Sequence, residues 1–169
     1  GSVLQVVQGV LKASFDGNNY DSYEQTGITA TIQPSSTSNK VLVEAHIYGS
    51  VDKGRWAGIR LYRGGSVVTG AISTAYAGSH YNVIDGHRQN NNWMVMGYNP
   101  DDTHHDNLVY GVSGKYLDSP SSTSSLTYDL RIIGREDATS YYINRPVANK
   151  DNDSSVAAIS TITLTEIAG

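Results

Sequence analysis

Residues 26–47 read TGITATIQPSSTSNKVLVEAHI, and the fold turns on how this stretch is divided. Ile28, Ala30 and Ile32 alternate with Thr29 and Thr31. After the Pro-Ser-Ser-Thr-Ser segment, Val41, Val43, Ala45 and Ile47 alternate with Lys40, Leu42, Glu44 and His46. A period of two places successive apolar side chains on one face of a half-buried strand. Between the two runs, proline presets φ and cannot donate to a ladder, while serine and threonine hydroxyls satisfy turn backbone. The same five residues return at 120–124. Leu108, Tyr110, Val112 and Tyr116 lead in, and Leu126, Tyr128, Leu130 and Ile132 lead out. A serine-rich flexible linker is the alternative for such a composition. Strand periodicity on both sides of both copies favours structured turns, and each is expected to close a hairpin.

Working outward, Gly64-Gly65 supplies the positive φ of a two-residue hairpin turn. That turn sets Tyr62 opposite Val67 and Leu61 opposite Val68, and puts Ala57, Ile59, Leu61 and Val68 on one face. Shorter strands are expected at 3–12, 93–98 and 140–143. A last one at 156–167 carries Ala158, Ile162 and Leu164 on one side and Thr161, Thr163 and Thr165 on the other. No window of helical length escapes Gly, Pro, Asn or β-branched residues, so at most one helical turn is expected. Many short strands between turn signals predict a single all-β domain over 1–169, an antiparallel β-sandwich or jelly roll.

Composition narrows the function classes. Charged residues make up 17% of the 169 and the net charge is −4, so no basic field invites nucleic acid or an anionic membrane. Cysteine is absent, which removes disulfides and thiolate metal sites. No apolar run approaches the roughly 20 residues that cross a bilayer, and the N-terminus lacks a basic start and a cleavage site; a soluble, unprocessed chain with no membrane insertion is expected. Neither a Gly-X-Ser-X-Gly elbow nor a repeat of the β-helical kind is present, and the serines cluster in turns, so the chain does not read as an enzyme.

Four stretches taken in order, GSVLQVV (1–7), TGITATIQPSSTSNKVLV (26–43), LDSPSSTSSLTY (117–128) and ITLTEI (162–167), resemble bacteriophage tail-fibre or virion-appendage tip domains, most of all those of marine and cyanobacterial phages. The resemblance implies a jelly-roll-like sandwich, a homotrimer, and a place on the virion. The implied partners are other fibre or tail proteins and a glycan or protein of the host surface. It carries over no catalytic residue and no cofactor. A purely structural virion component, such as a head decoration, head fibre or tail collar, needs the same fold and is the alternative.

The stretch 70–107 matches none of these motifs, which makes it the expected seat of specificity. Its long run without strand periodicity is of the kind that is functional when ordered. Tyr76, Tyr81, His87, Arg88, Trp93 and His104 are the candidate receptor contacts, with His80 beside them; tyrosine gives contact area at little cost in rotamer entropy. Against this, 12 tyrosines in one chain also suit a half-wet sheet. Trp56 and Trp93 could stack on sugar rings or pack in the sandwich. In DDTHHD (101–106), His104 and His105 are adjacent and point apart if extended, so no metal site is assigned. The acidic runs at 16–21 and 151–153 lack the spaced ligands of a calcium loop.

Overall fold

A computed structural model of the chain describes residues 1–52, 55–74, 91–97, 107–135, 139–148 and 156–169. In chain order the strands are β1 (Val3–Leu11), β2 (Phe15–Gly17), β3 (Glu24–Ile32), β4 (Lys40–Val51), β5 (Ala57–Arg63), β6 (Ser66–Val67), β7 (Met94–Met96), β8 (Tyr110–Asp118), β9 (Leu126–Gly134), β10 (Tyr141–Ile143) and β11 (Ser160–Ile167). The helical element described over its whole length is one 3-10 turn, Thr69–Ala71.

The strands form two antiparallel sheets. In the first, β4 pairs with β8 along one edge and with β10 and β11, end to end, along the other; β2 and β1 continue outward from those. In the second, β9 lies between β3 and β5, and β5 pairs on its far edge with β6 and β7. Treating strands that share an edge as one lane, each sheet has four lanes. Numbered along the chain, they run 1-8-3-6 in the first sheet and 2-7-4-5 in the second.

The alternation quoted above becomes burial directly. Ile28, Ile32, Val41, Val43, Ala45 and Ile47 are all buried, and they meet Ile59, Leu61, Tyr128, Leu130, Ile132, Ile162 and Leu164 in one core cluster drawn from both sheets. The result is an all-β, sandwich-like fold. The Gly64-Gly65 turn has φ of 56° and 82°, and its register is the expected one, with Tyr62 opposite Val67 and the Val68 amide donating to the Leu61 carbonyl at 2.9 Å.

The two Pro-Ser-Ser-Thr-Ser segments are not hairpins. The first carries the chain from β3 in the second sheet to β4 in the first, and the second carries it from β8 back to β9. Alternation fixes which face of a strand is buried, but not which strand becomes its neighbour, so the hairpin expectation was one step too local. Ile32 pairs with Leu126 and Val41 with Asp118, so the two arches stand side by side at one pole. Their turns are built alike: the third residue's hydroxyl accepts from the fifth residue's amide, Ser36 from Ser38 at 3.3 Å and Ser122 from Ser124 at 3.0 Å.

A buried carboxylate ties down each arch. Glu166 Oε1 accepts from the Ser35 amide (2.6 Å), the Ser35 hydroxyl (2.8 Å) and the Asn39 amide group (2.6 Å), while Oε2 accepts from Gln5 (3.0 Å). These donors hold its carboxyl down at about 2, with Asn39 and the Ser35 backbone contributing most. At the second arch, Asp118 accepts from the Tyr128 hydroxyl at 2.6 Å and from Arg63. Burial first, and Asp118 second, push the Tyr128 phenol well above the ordinary tyrosine range.

One further expectation is corrected, and one strand extends beyond the alternation quoted. The last strand starts at Ser160, and Ala158 precedes it without joining the apolar row. β3 starts upstream of the alternation, at Glu24, across a register shift between Gln25 and Thr29 where Gly27 has φ of 85°.

Candidate functional site at the pole opposite the arches

The two poles of the sandwich differ. At the arch pole β1 begins and β11 ends side by side, Val3 pairing with Ile167, and the Gly64-Gly65 hairpin joins them through the Gly64 amide and the Thr127 carbonyl. At the other pole β2, β4 and β9 end while β3, β5, β8 and β10 begin. Val51 pairs there with Tyr141, Tyr141 with Gly17, and Gly134 with Ala57. The connections spanning 18–23, 52–56, 97–109 and 135–140 therefore start and finish at this second pole.

Strand β10 supplies a tyrosine to each side of its sheet, as period two requires. Tyr141 faces the core, where its phenol bonds to Glu24 and accepts from the Asn19 amide at 3.0 Å; burial, then Glu24, push it far above the usual range. Asn19 in turn accepts from the amides of Asp21 (3.0 Å) and Ser22 (3.1 Å), an Asx turn that shapes the β2–β3 connection. Tyr142 faces outward, paired across the strands with Asp16. The Arg145 guanidinium lies over its ring at 4.1 Å and takes both oxygens of Asp16, Nε to Oδ1 at 2.8 Å and Nη2 to Oδ2 at 2.7 Å. A bidentate pair of this kind fixes orientation as well as charge. The hydrogen bonds to Asp16 raise the Arg145 guanidinium further above its already high ordinary value.

Beside this unit lies an open depression of about 300 Å³, lined by Asp16, Gly17, Asn18, Ser140 and Tyr142. Its floor is rigid, because Ser140 and Asp52 exchange two hydrogen bonds, Ser140 amide to Asp52 carboxylate at 2.8 Å and Asp52 amide to Ser140 carbonyl at 3.0 Å. The volume sits at the small end of the range for ligand cavities. A fixed carboxylate, an amide, a hydroxyl and a phenol around it offer both acceptors and donors. That inventory matches the hydroxyl groups of a single sugar ring. Nothing in the lining pairs a nucleophile with a base.

Among the residues expected from sequence to make contacts, Tyr76, Tyr81, His87, Arg88 and His104 lie outside the described residues, as do His80 and His105. Trp93 is described. Its ring lies against Gly114, half-buried against the core where β7 meets β8, and its amide donates to the Ile59 carbonyl at 2.9 Å. The two ends of the 75–90 stretch are tied together, since the Ser73 amide donates to the Asn92 carbonyl at 3.2 Å. Among the described residues no group of three His, Asp or Glu side chains is placed to hold a metal, and no helix is long and apolar enough to cross a membrane.

Sequence reasoning missed the depression. Asp16-Gly-Asn-Asn-Tyr-Asp was weighed only against a calcium loop, whereas its first two residues belong to an edge strand of only three residues. The available signal was the Tyr141-Tyr142 pair, in which one tyrosine of a strand must face out. No protein-family model matches the chain, and no curated protein matches it.

Proposed function

We propose that the chain is a virion appendage domain, the receptor-binding tip of a phage tail fibre that contacts a glycan or protein of the host surface as a trimer. The observation that carries this reading is the polarity of the sandwich. Both chain ends and both pinned arches occupy one pole, so any chain continuing from either end leaves there. The depression lies at the other, where the chain leaves and re-enters the strands flanking 18–23, 52–56, 97–109 and 135–140. A domain attached at one end and exploring a surface with loops at its other end is the arrangement that binding modules built on rigid β scaffolds use.

Two features support the finer parts of the proposal. The lane order, 1-8-3-6 facing 2-7-4-5, pairs lanes as a long hairpin would if rolled so that its pairs alternate between sheets, which supports the jelly-roll part of the reading. The outer face of the first sheet carries Val6, Thr165, Leu42 and Leu117 in register across four strands, with Val6 60% and Leu117 44% exposed. A row of that kind is suited to a neighbouring subunit.

A fluorescently labelled preparation is expected to stain a narrow set of bacterial strains, and Tyr142→Ala or Asp16→Ala to abolish staining while the fold is retained. Staining of no strain, with immunogold label on the capsid rather than the tail tip, would favour a head decoration or collar instead.

A further inference from the structure

The outer face of the second sheet breaks a rule of sheet composition. Arg60 on β5 and Arg131 on β9 are direct cross-strand partners. Like charges in that relation destabilise a sheet. In a chain with only 12 Lys and Arg, the pair is conspicuous. Two tyrosines hold it in place: the Arg60 guanidinium lies over the Tyr23 ring at 4.3 Å, the Arg131 guanidinium over the Tyr62 ring at 4.1 Å, and the two rings tilt together at 6.4 Å between centroids. The four side chains make one file, guanidinium, ring, ring, guanidinium, with a cation at each end.

The file is fixed from behind. Arg60 donates through Nε (3.0 Å) and Nη2 (2.8 Å) to the Asn91 carbonyl, and the Tyr23 hydroxyl donates to the Asn92 side chain. Asn92 lies flat over Gly58, where a Cβ would stand 2.4 Å from its amide oxygen, so glycine is what lets it reach the sheet. Burial raises the Tyr23 phenol despite the pull of Arg60, and it remains a neutral donor. Arg131 gives only its Nε, at 2.7 Å, to Asp129. Both terminal nitrogens of Arg131 and Nη1 of Arg60 have no hydrogen-bond partner among the described residues. Asp129 pairs with Arg131, and Arg60 is held by a backbone carbonyl rather than a carboxylate, so the file keeps a positive charge on an acidic chain.

We propose that this file binds an acidic polysaccharide of the uronate type, with carboxylates on the chain taking the two guanidinium ends. Resting on the host-surface reading given above, the assignment names a ligand class and a second surface for it. A planar carboxylate matches a guanidinium edge through two parallel hydrogen bonds, which an ammonium cannot reproduce. The two cations lie on the outer face of the sheet, each only partly exposed, Arg131 with 20% of its side chain, and it is their free nitrogens that repeated carboxylates along a chain would meet. Nucleic acid is the weaker fit, because its binding draws on an excess of positive charge and the whole chain carries −4.

The test is titration of the intact protein with α-1,4-trigalacturonate, with its methyl ester, with inorganic sulfate and with a single-stranded oligonucleotide. Trigalacturonate is expected to bind and the ester not to; R131Q and R60Q should each weaken binding about tenfold or more. R131K should weaken it as R131Q does, because the charge stays and the fork is lost, and K115Q on the other sheet should leave it unchanged. Amide dispersion in NMR spectra checks that each variant is folded. Absence of trigalacturonate binding by the wild type, equal binding of sulfate, tighter binding of the oligonucleotide, or full affinity in R131K would each overturn the proposal. Cell staining separates the two readings. Staining without trigalacturonate binding removes this site and leaves the host-surface function, while binding without staining of any strain does the reverse.

Discussion

Glu166 is the one carboxylate in the closing ITLTEI run, and it is 1% exposed. Three donors converge on one of its oxygens and a fourth on the other. Its folded carboxyl titrates at about 2, below the ordinary value of 4.5. A depressed carboxylate stabilises the fold fully above the unfolded value and loses that contribution as pH falls towards the folded one. The stability gap between wild type and Glu166→Gln should therefore be widest at neutral pH, shrink from about pH 4.5 downward and close near pH 2. Chemical denaturation of both proteins across that range checks this, and a gap constant with pH would show that packing rather than charge holds the arch. At the same scale, Asn144 was invisible to sequence reading. It sits buried at φ of 65°, its amide group donating to the Leu11 (2.8 Å) and Ala13 (2.9 Å) carbonyls, and its side-chain oxygen accepting from Ser160 at 2.6 Å. Partners 16 to 133 residues away leave no mark on the local pattern.

Elements were legible wherever local chemistry determined them. The Gly64-Gly65 hairpin could be placed to the residue because only glycine, asparagine or aspartate readily takes two successive positive φ values. A Cβ at either glycine would meet nothing within 4 Å, so substitution there is opposed by backbone strain alone. Replacing both by valine should cost about 1–2 kcal/mol per residue. That corresponds to a fall of roughly 5–15 °C in melting midpoint for a chain of this size. Asparagine at Gly64 should be nearly neutral, and equal melting of the divaline variant and wild type would contradict the strain account. The pairing of the arches was not legible, because Ile32 meets Leu126 and Val41 meets Asp118 through the global strand order. The start of β3 was hidden for another reason: Thr26 occupies a core-facing position, its hydroxyl donating to the Leu130 carbonyl at 2.8 Å and so passing for a surface residue in the alternation. The outward file of Tyr23, Tyr62, Arg60 and Arg131 was hidden too, since it joins residues of three segments.

At the scale of the whole molecule, the two outer faces differ in kind. The second sheet presents the arginine–tyrosine file. The first presents threonine ribs, the apolar row of Val6, Leu42 and Leu117, an exposed Tyr48, and ion pairs that neutralise themselves, Lys115 to Glu44 and Arg145 to Asp16, both at 2.7 Å. If a trimer covers the first face, light scattering behind size exclusion should give a mass near three times 18.2 kDa at micromolar concentration. Leu42→Glu combined with Leu117→Glu should then yield a folded monomer, because a pair of like charges directly opposite in register opposes both burial and close subunit approach. The melting midpoint of the wild type should rise with protein concentration, as mass action requires when folding and association are linked, and that of the variant should not. A wild type that stays at one chain's mass as concentration is raised would remove the trimer, and the apolar row would then need a different partner to cover it.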